Sequence, residues 1–157
     1  MSTQMLMFEV EGVPEPKPRM TQKDKFEPSP AVQRYWAWKK LVQLNISHAT
    51  AGQFELMTGA VQVTAYFRIP IPLSWTKQKR NDAELRLVLP IGAGTGDYDN
   101  FLKGIKDAMN QIVYKDDCQV IGVGEGYMYY SNEPGASVIV QEIQPPLILP
   151  WDTMAAM

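Results

Sequence analysis

The chain has 157 residues and a formal net charge of −2 at pH 7, with 45% hydrophobic and 20% charged residues. That size and balance suit one globular domain with a core of its own. A lone cysteine, Cys118, excludes a disulfide framework and a multi-cysteine zinc site, and a lone histidine, His48, disfavours histidine-based metal chemistry. The slight negative charge means that any nucleic-acid role needs locally segregated basic residues. No apolar run approaches the roughly 20 residues of a membrane helix. The N-terminus lacks a signal peptide's basic region and apolar block, so the expected compartment is a reducing cytoplasm.

Residues 5–13 read as a first strand, with Phe8 and Val10 on one face and Glu9 and Glu11 on the other. Pro14, Pro16 and Pro18 then exclude a helix or a central strand. This extended loop carries Lys17 and Arg19, followed by Lys23 and Lys25. It is either a solvated surface loop or an arm that contacts phosphates. Residues 29–49 form a helix that Ser29 can cap and Pro30 can open. Its imperfect apolar face holds Val32, Tyr35, Trp36, Leu41, Val42, Leu44 and Ile46, while Arg34, Lys39 and Lys40 lie off it. The aromatic trio Tyr35, Trp36 and Trp38 reads as packing rather than base stacking. Residues 60–69 are the strongest strand, with Val61, Val63 and Phe67 on one face.

The stretch 73–96 is less regular. Ser74 can open a short helix to Leu85, whose Lys77, Lys79 and Arg80 are either a solvated face or a second phosphate patch. Gly92, Gly94 and Gly96 lack dinucleotide-motif spacing after a strand. A helix from about Tyr98 to Ile112 buries Phe101, Leu102, Ile105, Ala108, Met109 and Ile112 and lines up Asp99, Lys103 and Asp107 opposite. Asp97 is placed to cap it, and Asp99 in its first turn suits the helix dipole. Residues 119–130 and 136–143 read as two strands of a hairpin around Asn132–Gly135. The expected fold is a single α/β (α+β) domain over residues 1–144, ordered strand–helix–strand–helix–strand–strand, with a mixed sheet packed by two helices. An irregular proline-containing tail, 145–157, follows.

The chemistry concentrates around the helix at 98–112. Carboxylate oxygens gathered at one end of a helix suit Mg²⁺ better than zinc or copper. Asp97, Asp99 and one of Asp116 or Asp117 can supply them, and Lys103, one turn after Asp99, can face a phosphate. The same residues also read as a helix cap followed by an Asp–Lys–Asp ladder. Asp97 and Asp99 precede the helix and Asp117 follows it, over a helix length of roughly 18–22 Å. Either the loop Val113–Asp116 folds back, or the acidic groups meet those of a second chain.

The run Asp97-Tyr98-Asp99-Asn100-Phe101-Leu102-Lys103, then Asp107-Ala108, then Asp116-Asp117-Cys118-Gln119-Val120 resembles the RusA family of Holliday-junction resolvases. The family pattern is Asp-x-Asp-Asn-x-x-Lys, an Asp-Ala pair, and Asp-Asp-x-Gln-Val. Outside this stretch the resemblance is looser, and 73–96 is longer than the family's usual connection. The resemblance implies a homodimeric, Mg²⁺-dependent endodeoxyribonuclease, with Mn²⁺ able to substitute. It would cut four-way DNA junctions by paired nicks in recombination and repair, and such genes are often carried by phages and prophages. By position, Asp97, Asp99 and Asp117 would be catalytic metal ligands, Lys103 the essential lysine, and Asp107 and Asp116 supporting acids. Asn100 and Gln119 would orient or pack, and Cys118 would be a small core residue, not a nucleophile. Lys17, Arg19, Lys23, Lys25, Lys39, Lys40, Lys77, Lys79 and Arg80 would hold the DNA backbone. The three ligand carboxylates are expected to approach one another in the folded assembly. The rival readings are a nuclease for other branched DNA, such as flaps, and a branched-DNA-binding protein without catalysis.

Overall fold

A computed structural model describes residues 4–92, 94 and 96–154 of the chain. Its centre is a ten-residue strand, β2 (Val61–Pro70), preceded in the chain by β1 (Met5–Glu11) and α1 (Pro30–Thr50). Along β2 burial alternates without a break: Val61, Val63, Ala65, Phe67 and Ile69 are buried, and the residues between them are half-exposed. That period of two marks a sheet with one covered face. The cover comes from α1 and from α3 (Tyr98–Ala108), which pack on each other and on β1 and β2. The Phe67 ring lies 5.3 Å from Phe101 and 5.6 Å, edge-on, from Tyr98. Truncating an aromatic side chain in such a place costs about 3–5 kcal/mol.

The last three strands are β3 (Val120–Val123), β4 (Met128–Ser131) and β5 (Gly135–Glu142). Here the structure corrects the expected hairpin. Residues 119–130 form two short strands, and both run parallel to β2 along one of its edges. β5 pairs antiparallel with β2 on the other edge and with β1 beyond it. The glycines explain the break. A Cβ on Gly124 would strike the Thr64 side chain, and one on Gly126 would strike the Ala65 carbonyl and the Tyr98 hydroxyl. The chain then crosses the end of β2 rather than folding back on β4. Arg68 fastens this crossing: its guanidinium donates to the Glu133 carbonyl at 3.0 Å and to Ser137 Oγ at 2.7 Å.

Two helices differ in extent from expectation. A short helix, α2 (Lys77–Glu84), starts after Thr76, whose Oγ1 accepts from the Lys79 amide at 3.3 Å, so Ser74 is not its cap. α3 ends at Ala108 rather than Ile112, and the chain turns through Gln111 at φ 66°. On α1 the buried stripe is Val32, Tyr35, Trp38, Val42 and Ile46; Trp36 and Leu44 face outward. The tail beyond β5, expected to be irregular, holds one short helix, α4 (Pro150–Met154). Ala93 and Thr95 of the glycine run, and residues 1–3 and 155–157, lie outside the described residues. Among the described residues no helix is long and apolar enough to cross a membrane. The whole is a single mixed α/β domain with a mixed sheet.

Candidate functional site

The start of α3 is fixed by glycine and proline. Gly96 has φ +112°, and a Cβ there would lie 2.9 Å from Pro16 Cγ and 3.3 Å from Phe101 Cε2. The proline-rich loop therefore lies directly against the first turn of α3, and the Lys17 amide donates to the Asn100 carbonyl at 3.0 Å. Asp97 holds the N-cap position through its backbone carbonyl, which accepts from the Asn100 amide at 3.0 Å and the Phe101 amide at 3.2 Å. Its carboxylate makes no capping bond, contrary to the sequence expectation. Asp99 follows in the first turn, and Lys103 lies one turn further along; all three side chains are exposed. None of the ion pairs among the described residues includes Asp97, Asp99 or Lys103. The Asp–Lys–Asp ladder is therefore absent. Two carboxylates stand at the positive end of the helix dipole with one free ammonium nearby.

Asp107, at the far end of α3, is in the opposite condition. Tyr35 of α1 donates its hydroxyl to Asp107 Oδ2 at 2.6 Å, Lys39 Nζ lies 3.1 Å from the same oxygen, and Lys17 Nζ lies 3.8 Å from Oδ1. Burial works to raise the Asp107 pKa, but the bonds from Tyr35 and Lys39 and the charges of Lys39 and Lys17 outweigh it. The carboxyl is held below its ordinary value. Burial, and then this carboxylate, push the Tyr35 hydroxyl well up, so it stays a donor. One acid thus ties together α1, the basic loop and α3. Gly104 allows the close approach, since a Cβ there would meet Tyr35 Cε1 at 3.1 Å.

Beyond α3 the chain reaches Asp116 and Asp117, which open a 3-10 turn, Asp117–Gln119, ahead of β3. Gln119 fastens this turn. Its Oε1 accepts from the Lys115 amide at 2.9 Å and the Asp116 amide at 3.1 Å. Its Nε2 donates to the Met57 carbonyl at 2.8 Å and the Gly59 carbonyl at 2.9 Å. Cys118 is exposed, not in the core. Interaction between its thiol and the neighbouring Asp116 carboxylate lowers the pKa of Asp116 and raises that of Cys118. A thiol held protonated is a poor nucleophile.

The acids thus form two separate sets. Burial first, and then the charges of Asp117, Asp107 and Asp116, raise the Tyr114 hydroxyl pKa, whereas neither Asp97 nor Asp99 is among its causes. Asp99 lies about 12 Å along the helix axis from Asp107. The loop after Ala108 does not fold back along α3: the Gln111 amide bonds the Tyr114 carbonyl at 2.8 Å, and Tyr114 bonds the Lys106 carbonyl at 2.7 Å. Among the described residues no three Asp, Glu, His or Cys side chains are grouped to hold a metal ion. Asp97 and Asp99 alone fit a different requirement. Mg²⁺ keeps several waters and often takes one or two carboxylates, with substrate phosphates completing its shell.

The expected DNA-contacting residues also separate. Lys17 and Lys39 are held by Asp107. Lys23 pairs with Glu27 at 3.9 Å, while Arg19, Lys25 and Lys40 are exposed. The arm is anchored by Asp24, which accepts from the Thr21 amide at 2.8 Å and the Ser29 amide at 3.0 Å. On α2, Lys77 is exposed, Lys79 sits 4.0 Å over the Trp75 ring, and Arg80 is half-buried. Two features had no sequence signal strong enough to find them. One is the clasp of Tyr35, Lys39 and Lys17 on Asp107. The other is an aromatic cavity on the uncovered face of the sheet, lined by Tyr66, Tyr127 and Tyr129.

Fold and site together define a small mixed α/β domain with a bare acidic helix start set against a basic, proline-rich loop. Residues 9–141 match the family described as Endodeoxyribonuclease RusA. The chain belongs to this family. It is 38% identical over 90 residues to "Uncharacterized protein YqaN" of Bacillus subtilis (strain 168). That alignment covers 56% of this chain and spans 61% of the length of the relative.

Proposed function

We propose that this chain is a Mg²⁺-dependent endodeoxyribonuclease that acts as a homodimer and resolves four-way DNA junctions by paired cuts. The observation that carries the reading is the exposed Asp97, Asp99 and Lys103 at the start of α3, with no ion pair to any described residue. Membership of the RusA endodeoxyribonuclease family supports it. Asp97 and Asp99 would hold the ion, and Mn²⁺ would serve in its place. The bound ion supplies a Lewis acid and a water of lowered pKa. Lys103 would lie against a non-bridging oxygen of the scissile phosphate and offset the charge that develops there.

Asp117 would join the set from a second copy. A junction presents two equivalent cleavage points, and a two-fold axis gives each site the same partners. Two copies with antiparallel α3 helices would bring the Asp117 end of one toward the Asp97–Asp99 end of the other. Arg19, Lys25, Lys40 and Lys77 would bear on the DNA backbone, which gives recognition by shape and charge and a steep salt dependence. The protein would act in the cytoplasm, in recombination or repair.

The test is cleavage of a synthetic four-way junction by wild type and by Asp99→Asn, with Mg²⁺ and with EDTA, beside a flap and a linear duplex. Symmetric nicking of the junction alone, lost in the variant and in EDTA, is the expected result. Preferred cutting of the flap would move the substrate assignment, and tight junction binding without cutting in any metal would overturn catalysis.

A further inference from the structure

α1 and α3 cover one face of the sheet and leave the other open, and the open face is not uniform. At its β4 edge a cavity of about 460 Å³ is lined by Tyr66, Tyr127 and Tyr129, with Arg86, Leu89 and Pro90 closing it from the segment after α2. Tyr66 and Tyr127 lie with ring centroids 6.3 Å apart, and the Arg86 guanidinium lies 5.0 Å from the Tyr129 ring centre. Tyr127 is 62% exposed, so its ring is available to a ligand. Three phenol rings and a planar cation, in a lining that Leu89, Pro90, Ile91 and Met128 complete, suit a flat, π-faced ligand.

Two further observations say which flat ligand. The first is position. Tyr98, between Asp97 and Asp99, donates its hydroxyl to the Ala65 carbonyl at 2.6 Å, directly beside Tyr66. Gly126 lies against the same hydroxyl, directly before Tyr127. The Tyr98 hydroxyl, on the first turn of α3, therefore touches the two backbone segments that lead into Tyr66 and Tyr127 of the cavity. The second is charge. α2 packs on β4, and a polar cavity of about 400 Å³ is lined by Lys77, Arg80, Asn81, Glu84 and Asn132, the residue after β4, so that two cations there face one carboxylate. From Tyr129 to Asn132 is roughly 10 Å along an extended chain, the span of about one to two nucleotides of a single strand. Lys79, stacked on Trp75, adds a third cation to this edge.

The geometry points to a subsite for an unpaired nucleotide: its base stacks in the Tyr66–Tyr127–Tyr129–Arg86 cavity, and its neighbouring phosphates lie on Lys77, Lys79 and Arg80. A basic track interleaved with stacking rings holds single strands with little regard to sequence. This inference rests on the nuclease reading. It gives the long 73–96 segment a task, which is to hold bases that unpair where a junction opens beside Asp97 and Asp99. No covalent step is involved.

The test uses the full chain in EDTA, so that binding is read without cutting. End-labelled single-stranded thymidine oligonucleotides and matched strands carrying abasic sites are titrated by fluorescence anisotropy. The base-bearing strand is expected to bind about tenfold or more tightly, the size of one stacked base. Tyr127→Ala and Arg86→Ala should remove most of that preference, and Tyr127→Phe should keep it. Lys77→Ala should weaken both strands equally and reduce the salt slope. Equal binding of the two strands by wild type, or an unchanged preference in both alanine variants, overturns the subsite. Light scattering closes another route: if Tyr127→Ala converts a dimer to a monomer, a second copy covers the cavity and the proposal fails. Junction cleavage in Mg²⁺ separates the two levels. Cutting without base preference removes the subsite alone, whereas a wild type that neither binds nor cuts DNA removes the nuclease reading with it.

Discussion

Asp99 and Asp107 lie on one helix, two turns apart, and are chemically the same residue. Asp99 is exposed and belongs to no ion pair among the described residues. Asp107 is surrounded by Tyr35, Lys39 and Lys17. The partners come from elsewhere in the chain: α1 and the proline-rich loop reach the far end of α3 with donors, while among the described residues no ion pair forms at the near end. A carboxylate whose oxygens are already bonded has little left to offer an ion. A bare one at a helix start keeps its lone pairs for one. On the proposed reading the near end binds and the far end is architecture, and the contrast can be broken from either side.

The largest expected effect is on activity. Asp99→Asn should lower junction cleavage by at least about 100-fold, a loss in the range seen when one charged group at a reacting centre is removed. Its unfolding free energy should stay within about 0.5 kcal/mol of wild type, as for an exposed residue without partners. A large loss of stability with cleavage intact would reverse the assignment of the two ends. Mg²⁺ should raise the melting temperature of wild type and not of this variant.

Asp107→Ala should do the reverse. It leaves a phenol and two ammonium groups without their shared acceptor, which costs about 2–3 kcal/mol. In a chain of this size that lowers the melting temperature by about 5–10 °C. Thermal unfolding reads it directly. Gly96→Ala should cost about 1–2 kcal/mol, since φ is +112° there and Pro16 already occupies the space of a Cβ. Because it pushes the basic loop from the first turn of α3, it should weaken DNA binding as well, which anisotropy measures.

Parts of this contrast were legible in the sequence. The alternation along β2 and the 3.6-residue apolar period of α3 report burial directly, and Phe101, Leu102, Ile105, Ala108 and Met109 are all buried as that period requires. The same period misplaced the end of α3, because Met109 and Ile112 keep the apolar rhythm after the chain has left the helix. Strand direction is not written in alternation at all. The stretch 119–130 alternates equally well as one antiparallel strand or as two parallel pieces, and only the close approach of Gly124 and Gly126 to β2 distinguishes them. The motif placed the acids along the chain but not their partners. Tyr35 and Asp107 are 72 residues apart, and nothing in either local sequence announces the bond.

The smallest expected effect sharpens the comparison through pH. The folded pKa of Asp107 is depressed, so the unfolded state binds this proton more readily than the folded state does. The contribution of the clasp to stability is therefore fully present above the ordinary carboxylate value of about 4 and is lost as pH falls through the lower folded value. Tyr35→Phe removes one of the donors that depress it, at a cost of about 1 kcal/mol near neutral pH. Urea unfolding of wild type and Tyr35→Phe at neutral pH and again well below pH 4 should show the gap closing with acid, since a protonated carboxyl has less need of a donor. No gap at either pH would mean that Tyr35 stabilises the protein through its ring alone, and a gap of the same size at both would mean that its hydroxyl acts without regard to the Asp107 charge; in either case the far end of α3 would lose its claim to be an electrostatic clasp.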